Sequence, residues 1–177
     1  MVRLHEAALA FGIALAGVAA SAGSVSCVDE THEEEVAALG PEQNGVPPSP
    51  LHRPGQPCLT CHGGSGPAKE QFSIGGTVYL TQSDGQPAQG AVVQVEDILG
   101  NTVNVAANAA GNFFVPLSDY APHYPTQMQV TSADGTTVQQ MTTHAGRDGS
   151  CADCHGATPG PNSAGPIYVT AATGDGG

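Results

Sequence analysis

From residue 73 onward, short apolar runs alternate with polar positions and are broken at regular intervals by turn-forming residues. This period-two pattern predicts strands over 74–81, 91–98, 102–106, 112–117, 128–132 and 136–142. Val92, Val93 and Val95 and their Thr- and Val-rich surroundings supply β propensity. Turns are predicted at Ser83-Asp84-Gly85, Gly100-Asn101, Ala110-Gly111-Asn112 and Ala133-Asp134-Gly135. Ile167-Tyr168-Val169 adds a last edge strand. Strands of this length and spacing make an all-β chain, a small antiparallel β-sandwich over 73–143, whose core is expected from Tyr79, Ile98, Phe113, Phe114 and Leu117. Glu96 and Asp97 alternate faces of a strand and are expected in solvent.

The first 57 residues follow other patterns. Residues 7–20 form one uninterrupted small and apolar run behind Arg3, too short to span a bilayer comfortably and suited to the core of a secretory signal over 1–26. Cys27 follows, then Asp29 and Glu30, and the whole resembles a bacterial lipoprotein signal in which that cysteine becomes the lipidated first residue. Ser24 departs from that family's pattern, and cleavage after Ala22 would instead leave Cys27 a free thiol. The linker, 27–57, is acidic at Glu33-Glu34-Glu35 and then rich in Pro and Gly, so an extended or disordered tether is expected, with His32 in solvent.

Composition narrows the functions. With 16 acidic and 4 basic residues the formal net charge is −12, which argues against nucleic acid and against electrostatic docking on anionic lipid. A partner steered by charge would be basic. The 24 Gly and 14 Pro, with no Trp, fit a chain of loops and strands.

Four of the five cysteines fall in two copies of one pentapeptide, Cys58-Leu59-Thr60-Cys61-His62 and Cys151-Ala152-Asp153-Cys154-His155. Cys-x-x-Cys-His reads as a covalent attachment site for c-type haem. Two thiols three positions apart can each add to one of the two vinyl groups, and the next residue offers an imidazole to the iron. Two covalently bound haem c groups are therefore expected, on Cys58 and Cys61 and on Cys151 and Cys154, with His62 and His155 as proximal ligands. Zinc and two local disulfides remain alternatives, although the gap between the pairs is far longer than in zinc ribbons.

The sixth ligands would decide what such irons do, because His lowers the potential, Met raises it and an open position binds small molecules. His144, His52 and His123 are the distal candidates, in that order. His52 lies six positions before Cys58 and His144 seven before Cys151. Met128 and Met141 fall on predicted strands and are expected in the core.

Two resemblances follow from these residues. Gly85 to Gly100 with Ala110-Gly111-Asn112-Phe113 resembles the carboxypeptidase-regulatory-like (transthyretin-like) family, which implies a seven-stranded sandwich that binds or presents and does not catalyse. The two pentapeptides make the chain resemble a dihaem c-type cytochrome, with the first site in 58–72 and the second, with its tail, in 144–177. That implies an electron carrier, not an enzyme, exported to the periplasm or outer surface of a bacterial cell. Its partners would be redox proteins, other cytochromes among them, and its membrane contact a lipid on Cys27. A haem-based sensor or small-ligand binder, and a non-redox surface module stapled by haem, zinc or disulfides, stay open beside it.

Overall fold

A computed structural model describes residues 30–42 and 46–170. The signal segment and Cys27 lie outside the described residues. Seven strands form two sheets: β1 (Phe72–Tyr79), β2 (Val92–Asp97), β3 (Thr102–Ala106), β4 (Asn112–Pro116), β5 (Thr126–Thr131), β6 (Val138–Gln140) and β7 (Ile167–Tyr168). One sheet runs β4-β1-β7 and the other β3-β2-β5-β6. Every pairing is antiparallel except that of β7, which lies parallel to β1 through Val78–Ile167 and Tyr79–Tyr168. The expected small β-sandwich is what the chain forms.

The core is aliphatic. Ile74, Val78, Val93, Val95, Val115, Val130 and Val169 close around Phe113, which is 1% exposed. Two expected core residues are elsewhere: Ile98 is 61% and Leu117 49% exposed, because both fall just past the ends of their strands. Phe114 and Tyr79 are partly buried on the outer side of the β1 sheet, where loops cover them. Met128 packs against the core from β5, and Met141, partly buried, follows β6.

Asp97 also departs from expectation. It is buried at the end of β2 and organises the loop to β3, accepting from the backbone N–H of Leu99 (3.0 Å) and Asn101 (2.9 Å) and from the Asn101 side chain. Its other oxygen accepts from the backbone N–H of His123 at 3.2 Å. Burial opposes the charge, but these donors outweigh it and hold the carboxyl well below the usual range. Glu96, facing the other way, is exposed as expected.

The linker is more ordered than a free tether over its described part. Glu30–Ala38 forms α1, which buries no side chain. Its end is held by Arg53, whose guanidinium donates to the carbonyls of Leu39 (3.0 Å) and Gly40 (2.6 Å) and to Glu42 (2.9 Å). The following turns are tied to the sandwich. Asn112 Nδ2 donates to the His52 carbonyl (2.8 Å), Asn108 Nδ2 to that of Pro50 (2.6 Å), and Gly55 N–H to Thr77 Oγ1 (2.7 Å). The carbonyls of Pro50 and His52 are thus satisfied by side chains at the β3–β4 loop and the start of β4.

Candidate haem-attachment site

Each pentapeptide folds as a single helical turn: α2 spans Cys58–His62 and α3 spans Cys151–Cys154. One turn puts positions i and i+3 on the same side, so each cysteine pair presents its two thiols together. The turns close through Gly63 N–H to the Leu59 carbonyl and His155 N–H to the Cys151 carbonyl, both 2.8 Å. All four cysteines are free thiols. Cys58, Cys61 and Cys151 are partly buried and Cys154 is exposed. Desolvation pushes the Cys58 thiol up to about 11 and the Cys151 thiol up to about 12. At neutral pH both thiols are therefore protonated.

Both motifs pack on β1. A Cβ on Gly75 would stand 3.0 Å from Cys58 Cβ, and one on Gly76 would stand 2.8 Å from Cys151 Cβ, so the absence of side chains at these two positions lets both turns approach. α3 starts directly off the strand edge: Gly75 N–H donates to the Gly149 carbonyl at 2.9 Å, and Gly75 bridges Ser150 in parallel.

The two motif histidines are held alike. His62 Nδ1 lies 2.8 Å from the Glu70 carbonyl and His155 Nδ1 3.0 Å from that of Gly165. A carbonyl only accepts, so each Nδ1 carries the proton and each Nε2 keeps a lone pair free. This is the tautomer a metal-bound imidazole needs when its other nitrogen is oriented by backbone. The His62 ring is stacked on Phe72, and Phe72 in turn on Phe114, with centroids 4.2 and 4.6 Å apart. A register shift between Phe72 and Ile74 turns Phe72 toward this side of the strand.

A cavity of about 430 Å³ opens beside the first motif, lined by Cys58, Cys61, His62, Phe72, Phe114, Leu39, Pro48, Pro50 and Pro57. Lys69, Glu70 and Arg53 also line it; Arg53 is already paired with Glu42 at 2.9 Å, so Lys69 is the cation there for a ligand's carboxylate. The size and the apolar lining fit a cofactor site. Haem, with its planar apolar body and two propionates, matches this donor set. At the second motif burial, and then the neighbouring Asp148 carboxyl, push Asp153 up to about 6.

The distal candidates part company. His52 lines the cavity, its ring centroid 6.0 Å from that of His62. Its Nδ1 accepts from Ser49 N–H at 3.1 Å, which leaves the neutral ring's proton on Nε2. His123 is 3.3 Å from Asp97 through Nδ1, at the end of β2, and His144 is exposed on the segment after β6. Sequence reasoning missed Phe72, Phe114, Arg53 and the Gly75-Gly76 pair. Two adjacent glycines inside a strand pattern were the available signal for a close approach.

Among the described residues no three His, Cys, Asp or Glu side chains converge to hold a metal ion by themselves, and no helix is long and apolar enough to cross a membrane. No protein-family model, no curated protein and no solved structure matches the chain.

Proposed function

We infer that the protein is an exported dihaem c-type cytochrome that passes electrons to and from protein partners at the bacterial cell envelope. The observation that carries this reading is the repeated one: two Cys-x-x-Cys-His turns, each with its histidine Nδ1 engaged by a backbone carbonyl and its Nε2 left for iron. Haem, when bound, supplies a one-electron couple at its iron. Cys58, Cys61, Cys151 and Cys154 hold the groups through thioethers, each thiol adding across a vinyl double bond with its hydrogen going to the neighbouring carbon. His62 and His155 would ligate the irons through Nε2, and Lys69 would stand near a propionate at the first site. The sandwich contributes rigidity, which keeps the ligand geometry constant between oxidation states. With a net charge of −12, the fitting redox partner presents a basic face. The apolar run at residues 7–20 and Cys27 behind it support the reading of export with a lipid tether.

The test is the spectrum of protein matured in an exporting host with haem-ligation machinery. Haem that stays with the chain on denaturing electrophoresis is the expected result; a colourless chain would refute the reading.

A second reading, a small-ligand binder at the first haem, is favoured by the Ser49–His52 hydrogen bond. With that bond made, His52 Nε2 bears the proton and would not ligate, so a haem held there would be open to an exogenous ligand. Rapid carbon monoxide binding by one of the two reduced haems would support it.

A further inference from the structure

Resting on the reading of both pentapeptides as haem sites, we propose that the two haems form one interacting pair, with the glycine pair Gly75-Gly76 of β1 as the wall they share. Successive residues of a strand face opposite sides. Gly75 faces the side of Phe114, its register partner, and there it seats Cys58; Gly76 faces the side of Phe113 and seats Cys151. Sites far apart in sequence are thus set against adjacent residues of a single strand. The distances bound their separation. A Cβ on Gly75 would be 3.0 Å from Cys58 Cβ and one on Gly76 2.8 Å from Cys151 Cβ, so with consecutive Cα atoms about 3.8 Å apart the two cysteine Cβ atoms lie no more than about 13 Å apart.

This spacing depends on the glycines. Any side chain at Gly76 meets Cys151 Cβ and the Phe113 ring, and the Gly149 backbone that leads into α3 leaves no room for a Cβ against the Ser73 carbonyl. The close approach is therefore built at three positions, two on the strand and one on the segment beside it. A pair held this way exchanges electrons internally and takes or delivers them as one unit. Reducing one iron changes the charge felt by the other, so their midpoints are not independent.

The experiment is Soret circular dichroism and a redox titration of the full dihaem protein, set against two single-haem variants, Cys58→Ser with Cys61→Ser and Cys151→Ser with Cys154→Ser. The expected result is a two-signed Soret couplet in the wild type, lost in both variants, and wild-type midpoints displaced from those of the variants. The couplet is read on the wild type alone, so the proposal stays testable if either variant fails to fold. A one-signed Soret band in a protein carrying two covalent haems would overturn the pairing and leave the cytochrome reading intact. A chain without covalent haem would overturn both.

Discussion

The imidazole of His62 lies flat on the ring of Phe72, centroids 4.2 Å apart and planes 8° from parallel, while its Nδ1 is held 2.8 Å from the Glu70 carbonyl. Stacking fixes the plane of the ring and the hydrogen bond fixes its rotation within that plane. Phe72→Ala removes the stack and a largely buried ring, so a loss of about 3 kcal/mol is expected in denaturant unfolding. The loaded variant should also show a broadened Soret band, as the ligand ring loses its single orientation.

Gly76→Val forces branched carbons against Cys151 Cβ and the Phe113 ring, 2.8 and 3.0 Å from where the first added atom would sit. Overpacking of this kind costs about 2 kcal/mol or more. Haem loading at the second motif should fall while that at the first is retained, read by mass spectrometry of the two tryptic haem peptides. Gly85→Ala, at a turn with φ 65° and open space around it, tests strain alone and should leave both loadings unchanged.

His52→Ala distinguishes the two readings of the first iron. With His52 as sixth ligand, the variant gains a high-spin component and binds carbon monoxide at one haem that the wild type protects. With His52 kept on Ser49, the wild type already binds it and the variant is no different.

Asp97 sets an acid limit. Its folded carboxyl is held below the ordinary value near 3.8, so it contributes stability that is fully present above that value and lost as pH falls through the folded one. Unfolding midpoints of the wild type should therefore drop steadily below about pH 4. Asp97→Asn should unfold at lower denaturant at pH 7 and show a shallower drop in acid.

Arg53 holds α1 through two carbonyls and Glu42. Its φ of 51° is a left-handed conformation that an unbranched side chain tolerates only when the surroundings hold it. Arg53→Ala should release the helix, seen as faster amide exchange and protease cutting over 30–42, with protection of β1 and β2 unchanged.

Much of the sandwich was legible because strand and turn signals are local. β3 was read to the residue, and Gly85, Gly100, Gly111 and Gly135 all take the positive φ that their turns require. The core was read less well. Ile98 and Leu117 carry core-like side chains just beyond strand ends, where chain direction and not hydrophobicity decides exposure. The order of the linker's described part was not legible for a similar reason: its composition describes an isolated chain, whereas Asn108, Asn112 and Thr77 bind residues 50–55 through long-range hydrogen bonds that have no local pattern. The pentapeptides announced themselves by spacing, but not that both rest on Gly75 and Gly76, which only the pairing of β1 with its neighbours sets.

The most direct measurement is the intact mass of protein matured by an exporting host with haem-ligation machinery, together with its oxidised and reduced visible spectra. The account expects a mass increased by two haems, both lost when the four motif cysteines are replaced by Ser, and the visible bands of covalent c-type haem in the reduced state. A chain recovered at the mass of the polypeptide alone, folded and colourless, would contradict it.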